Sequence, residues 1–416
     1  RAVKVLVTHH DALRFAYPNT HGIWKQEYGS QAGELLVEDL SSVSQHELSS
    51  RVEELSTGYQ QSLDLEKGEL LRVVLLKTPA AEKDNRLLLT IHHLAVDGVS
   101  WRILLEDLEQ ILLAISNGNE VEPGTKGSSY RQWYSALQRY AVKRAIRQQG
   151  YWQKVSKAEF RLPVDKVSAE PVLIADQQNY TVSLDTSLTQ ALLTEANQAY
   201  HTQINDLLLA ALARTLGAWS QLNQVVIGME GHGREDIAAE MDISRTVGWF
   251  TNFYPVLLSL EEDLTASDLI KSVKEQLRQV PDKGLGYGAL RYLHPEAKVR
   301  ESLTGQESEL VFNYLGQLDN TLNSSRWFAE ASELCGKPAS PANKAGGKIS
   351  VNGSIAGGQL SLTWGYSTKH FHKETIERLA THYLEALSEL IVHCQEKQVP
   401  EHTPSDYGLG GKVTYR

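Results

Sequence analysis

The stretch Arg86-Leu87-Leu88-Leu89-Thr90-Ile91-His92-His93-Leu94-Ala95-Val96-Asp97-Gly98-Val99-Ser100-Trp101 decides how the rest of the chain is read. Arg86 to Ile91 is short, apolar and rich in branched aliphatics, as a buried strand is. Val99 to Leu108 carries apolar residues at three- and four-residue spacing and predicts an amphipathic helix. Between them stand two imidazoles, a carboxylate and a chain-reversing glycine. A strand that ends in His-His and turns at Asp97-Gly98 into a helix delivers an imidazole to an edge that a substrate can reach. Histidine suits that place because it exchanges its proton near neutrality.

The same pair also reads as hydrogen-bonded core, and the residues alone leave both readings open. Metal ligation fits less well. Adjacent residues on a strand point to opposite faces, and no Cys/His/Asp cluster at ligand spacing accompanies the pair. The alternation gives the two histidines different tasks, one facing a cleft and one the core. Asp97 reads as an orienting or salt-bridging group rather than a proton carrier.

Outward from this motif, 416 residues exceed one ordinary core, so two lobes are expected. Hydrophobic residues at 41% and charged residues at 22% describe a soluble globular chain. No apolar stretch approaches the roughly 20 residues that span a bilayer, and no signal peptide is visible. Cys335 and Cys394 give no disulfide framework or metal site, which fits a reducing cytoplasm. A net charge of −10 argues against nucleic acid as the main partner. The first residue falls inside a helical pattern, so the chain is expected to belong to something longer.

Leu13–Tyr17 and Gly22–Tyr28 alternate like strands of an open sheet. Ser44 to Leu63 predicts a helix opened by a Ser44/Glu47 capping box, and Leu70 to Lys77 another strand. Long helical patterns run from Val99 to Ser116 and from Tyr130 to about Val155. Pro163 to Pro171 reads as an interlobe connection. Beyond it come strands at Tyr180–Leu184, Val225–Met229, Val247–Leu260 and Leu310–Leu315. Helices are expected at Ser187–Tyr200, Asn205–Trp219, Ala266–Val280 and Thr375–Gln395, with a hairpin of Ile349–Ile355 and Gln359–Tyr366. The expected class is α+β with two sandwich-like lobes, an N-terminal lobe 1–170, a C-terminal lobe 171–403, and a polar linker or tail 404–416.

Four second-lobe segments place polar or glycine residues where a plain core strand would not. Glu230-Gly231-His232-Gly233-Arg234-Glu235 puts a carboxylate at a strand end beside glycines that let the backbone bend. It reads as an acid or base, or as a solvated turn. Arg245 to Asn252 sets Trp249-Phe250 after Gly248, a hinge, a channel wall or plain packing. Gly284-Leu285-Gly286-Tyr287-Gly288 lacks the Lys-Ser/Thr of a phosphate loop and follows a helix rather than opening one, so a flexible lid or bridging loop is expected. Phe312-Asn313-Tyr314-Leu315-Gly316 puts polar side chains in an apolar strand, where they need partners or a substrate. His9-His10-Asp11 imitates the later pair without its Asp-Gly turn and reads as structural.

In their order and composition these segments resemble the epimerization domain of nonribosomal peptide synthetases, a branch of the condensation-domain superfamily with the chloramphenicol-acetyltransferase-like fold. The His92–Trp101 run matches the superfamily His motif, and its Ser-Trp extension favours the epimerization branch. Glu230–Glu235, Arg245–Thr251, Leu285–Gly288 and Phe312–Gly316 match the remaining signatures. The family's proline-containing N-terminal motif has no counterpart here, which implies that about one family helix is missing from the start.

The resemblance implies two lobes in a V-shaped pseudo-dimer with a central cleft. It implies His93 as a proton-transferring group and Glu230 as the opposing acid or base. Asn313 and Tyr314, with Trp249 and Tyr287, are expected to line the site. His92, Asp97, Gly98 and Arg14 would orient it, Asp97 by pairing with Arg14. The implied substrate is an aminoacyl or peptidyl thioester on the phosphopantetheine arm of a peptidyl carrier domain, within a synthetase of neighbouring modules. No metal and no cofactor of the domain's own is expected, and no motif of a pyridoxal-phosphate racemase is legible. A peptide-bond-forming condensation domain, a silent carrier-docking module and a coenzyme A acyltransferase are the competing readings.

Overall fold

The computed structural model describes residues 1–121, 123–305, 308–317 and 325–409. The last seven residues of the expected tail lie outside the described residues. The chain divides into two compact units. The first takes Arg1–Ala136 and is joined by Asp236–Thr251 and Asn320–Ser340; the second holds Leu137–Glu235, Asn252–Asp319 and Pro341–Arg416. Two segments that follow residue 170 therefore pack within the first unit, so a single cut at 170 does not describe the organisation.

In the first unit, α1 (Ala2–His9), α2 (Gln45–Gln61) and α3 (Gly98–Ser116) accompany a three-stranded sheet. Its strands are β1 (Leu35–Asp39), β2 (Leu71–Lys77) and β3 (Arg86–Ile91), with β1 parallel and β3 antiparallel to the central β2. The stretches 13–17 and 22–28 do not join this sheet. They form two-residue ladders, Phe15–Ala16 with Glu27–Tyr28 and Asn19–Thr20 with Ile23–Trp24. Ser44 precedes α2 without capping its backbone, because its hydroxyl is bonded to the Glu47 carboxylate instead. Leu6, Val7, Leu13, Phe15, Val96, Ile103 and Leu104 build the main core of this unit, and Val247 packs into it.

The second unit contains a six-stranded mixed sheet. Its strands are β4 (Gln177–Ser183), β5 (Gln224–Gly231), β6 (Asn252–Ser259), β7 (Leu310–Gln317), β8 (Ile349–Ala356) and β9 (Gln359–Ser367), in the order β6-β5-β7-β8-β9-β4. β7 runs parallel to both β5 and β8, and the other pairings are antiparallel. The helical stretch expected from Tyr130 is broken into α4 (Tyr130–Lys143), a 3₁₀ turn Ala145–Gln148 and α5 (Gln149–Ser156). Then follow α6 (Thr186–Leu193), α7 (Ile204–Ser220), α8 (Ala266–Arg278), α9 (Leu285–Gly288), α10 (Ala297–Glu301) and α11 (Lys373–Glu396). α7 is wholly interior from Leu207 to Ala213, with only Arg214 and Ala218 exposed along its length, which suits its largely apolar composition. Val247–Thr251 is not strand; β6 starts only at Asn252.

The glycine-rich run 284–288 is a packed element rather than a lid. Gly284 has φ +86° and the Tyr254 ring lies where its Cβ would be, while a Cβ on Gly286 would strike Gln148. These glycines admit close neighbours, and α9 begins directly after the first of them. No described helix is long and apolar enough to cross a membrane.

Candidate active site

β3 ends at Ile91, one residue short of the histidines. His92 caps a 3₁₀ turn, His93–Ala95, its Nδ1 accepting from the Leu94 N–H at 3.2 Å. His93 opens that turn and is exposed, whereas His92 is half-buried. The two imidazoles thus differ as expected, but a tight turn separates them rather than strand alternation. Burial, with the neighbouring His93 adding to it, holds the His92 pKa below the usual imidazole range.

Asp97 is 3% exposed and caps α3. Its Oδ1 accepts from the Ser100 N–H at 2.7 Å and its Oδ2 from the Phe250 N–H at 3.0 Å. Ser100 adds a second tie, its hydroxyl donating to the Gly248 carbonyl at 2.9 Å and accepting from the Gly248 N–H at 3.1 Å. Gly248 and the Phe250 N–H are thereby bonded to the side chains of Ser100 and of the cap residue Asp97 rather than to a neighbouring strand. A Cβ on Gly248 would lie 2.6 Å from the Tyr130 ring, and the Tyr130 hydroxyl donates to the Trp249 carbonyl at 2.7 Å. Held this way, Trp249 meets His93 edge to face, ring centroids 5.2 Å apart, with 41% of its surface open.

Two expectations in this unit are corrected. Arg14 pairs with Asp11 at 2.7 Å and lies over the Tyr28 ring, not with Asp97, because the Asp97 carboxylate is turned to backbone donors. Gly98 is the first residue of α3 with no positive φ, so no chain reversal demands it. A Cβ there would meet nothing within 4 Å.

In the second unit Glu230 is exposed near the end of β5, opposite Phe253 of β6. Its Oε2 accepts from Asn313 Nδ2 at 3.0 Å, so β7 supplies the group that aims the carboxylate. Tyr314 is half-buried with its ring on Gly353, where a Cβ would lie 3.5 Å away, and burial raises its pKa. After Glu230 the chain folds back at Gly233, φ +68°. His232 pairs with Glu235 at 3.1 Å, and Glu235 with Lys283 at 3.1 Å. Tyr287, expected at the site, is core instead: 5% exposed, tilted against Trp152 at 5.5 Å, its hydroxyl accepting from Arg291 at 2.6 Å.

The structure therefore joins Asp97, Trp249 and His93 in one unit and Glu230, Asn313 and Tyr314 in the other. Ser100 and Lys283 were not foreseen. Ser100 sits at the third position of a helix capped by Asp97, a spacing that marks it as a helix-start residue; nothing in the sequence ties it to Gly248, 148 residues away.

A mixed α+β fold and a His-x-x-x-Asp-Gly turn capping a helix define a condensation-type domain of the chloramphenicol-acetyltransferase-like class. The sequence model of the condensation domain matches residues 1–408, and the chain belongs to that family. The epimerization domain from the third module of tyrocidine synthetase B superposes with a TM-score of 0.86 at 36% identity, over 96% of this chain and 88% of that one. Bacitracin synthase 3 of Bacillus licheniformis is 37% identical over 99% of this chain, and tyrocidine synthase 1 of Brevibacillus parabrevis 36% identical over 98%. The chain spans only 6% and 38% of their lengths.

Proposed function

We propose that this domain inverts the Cα of an aminoacyl or peptidyl group held as a thioester on the phosphopantetheine arm of a peptidyl carrier domain, in the cytoplasm and among neighbouring synthetase modules. The observation that carries this reading is the Glu230 carboxylate, exposed at a strand end and aimed by Asn313, in a chain similar to a solved epimerization domain. The thioester carbonyl acidifies the α-proton because the charge left behind spreads onto oxygen. Glu230 takes that proton from one face, and His93 in its protonated form returns one to the other, leaving the bond count unchanged. In the reverse direction the roles exchange. Trp249 places an aromatic edge beside the His93 ring and fixes its orientation. The unfilled space at Gly98 leaves room for a carrier-borne substrate to pass close to the backbone beside the histidine.

The test is deuterium uptake from heavy water at the α-carbon of aminoacyl thioesters on a carrier protein, with stereochemistry followed by chiral analysis. Wild-type protein is expected to exchange and invert. Glu230→Gln and His93→Ala are each expected to lose inversion by about 10³-fold, the scale of a positioned acid or base. Absence of exchange by folded wild-type protein, across several loaded residues, would overturn the reading. The shared His motif and the family match favour peptide-bond formation as the second reading; it requires two loaded carriers and yields a dipeptidyl thioester, which the same assay detects by mass.

A further inference from the structure

α1 and α3 bring together a cluster that the proposed reaction does not use. His9 closes α1, His10 follows it, and Asp107 lies on α3, and one potential ligand atom from each falls within 4.8 Å of the others. His10 is 4% exposed, with Nε2 2.9 Å from Asp107 Oδ2. The His9 ring stands at 84° to it, centroids 4.8 Å apart, so the two rings approach from different directions. The remaining Asp107 oxygen is bonded to Arg245. A carboxylate fixed through one oxygen presents the other in a set direction, as ligating carboxylates do. All three residues border a cavity of about 680 Å³.

We propose that His9, His10 and Asp107 form a binding site for a divalent transition cation, zinc above all, with a fourth position open to water in that cavity. Two imidazoles and a carboxylate suit zinc, whereas magnesium and calcium take oxygen donors. Coordination by His10 Nε2 would take the place of its hydrogen bond to Asp107 and leave its ring proton on Nδ1. Arg245 and Lys126 hold positive charge close by, so affinity falls below that of four-ligand structural sites. The ion would tie the end of α1 to α3 whether or not the domain epimerises its substrate.

The experiment is thermal unfolding of the chain after treatment with a chelator, then with zinc chloride or magnesium chloride, alongside cobalt(II) absorption. Zinc is expected to raise Tm by about 5 °C, reversibly with the chelator. Magnesium is expected to do nothing, and cobalt to give the intense visible bands of a low-coordinate site. His9→Ala and Asp107→Asn should abolish both signals; if Asp107→Asn fails to fold, His9→Ala at the half-buried helix end decides. The stacked pair His201 and His402, 4.1 Å apart, is a rival zinc binder, so His402→Ala must leave both signals intact. Signals that survive His9→Ala, vanish in His402→Ala, or never arise in folded wild-type protein overturn the site.

Discussion

The two regions that carry His93 and Glu230 are held in place by different means. Around His93 the fixing groups are backbone donors turned onto buried side chains: Ser100 and Phe250 N–H on Asp97, Gly248 on Ser100. Around Glu230 the strand ladder β5–β6 sets the backbone, and the side chain of Asn313 bonds the exposed carboxylate. A group held by buried backbone bonds cannot be loosened without weakening the fold. A carboxylate bonded by an exposed side-chain amide can. Substitutions in the first region should therefore appear in stability, and those in the second in rate alone.

Asp97→Ala is expected to have the largest effect of this kind. It removes the α3 cap and leaves two buried N–H groups without their acceptor, a loss of about 3 kcal/mol. The measurement is the urea midpoint, which should fall with an unchanged slope. A stable Asp97→Ala protein would break the comparison at its stronger end. Gly248→Ala comes next. Its methyl meets the Tyr130 ring at 2.6 Å, and displacing that ring should cost about 2 kcal/mol and quench the contact of Trp249 with His93, readable in tryptophan fluorescence. Asn313→Ala belongs to the other side: the same urea midpoint as wild type, with isotope exchange slowed about tenfold, or ~1.4 kcal/mol. A shifted midpoint there would show that Glu230 is held by more of the fold than Asn313.

What the sequence made legible follows the same division. The aliphatic runs at Leu70–Lys77, Arg86–Ile91 and Val225–Met229 are readable as strands from their local composition, although Arg86–Ile91, read as buried, buries only Thr90. The His motif was readable because its cap, Asp97, adjoins the helix that it starts. Val247–Thr251 was read as strand on its apolar content, yet its backbone partners are the distant side chains of Asp97 and Ser100, which no local pattern records. The glycines at 284–288 read as looseness, yet Gly284 and Gly286 are imposed by the Tyr254 and Gln148 side chains packed against them. His9-His10 read as an imitation of the motif because Asp107, which gives it chemistry, is 97 residues away. Glu230 could be placed at a strand end from its glycines, but Asn313 as its partner depends on β7 lying beside β5.

The smallest effect concerns the pair His92 and His93, where the comparison narrows to neighbouring side chains. Burial and the adjacent imidazole lower the His92 pKa from 6.5. A base whose pKa is depressed in the folded state leaves stability untouched above 6.5 and costs stability as the pH falls from 6.5 through the lowered value, because only the unfolded chain takes the proton freely. Its Nδ1 accepts from the Leu94 N–H, and a proton on that atom would break the cap of the 3₁₀ turn that opens with His93. Two-dimensional NMR titration should therefore show the His92 ring titrating below 6.5, with the Leu94 amide moving in step. In His92→Asn, whose side-chain oxygen can keep the cap, the acid-side loss should disappear while the turn persists. If His92 titrates at 6.5 and Leu94 stays still, the cap is not what holds the His93 turn, and the burden of positioning shifts to Trp249.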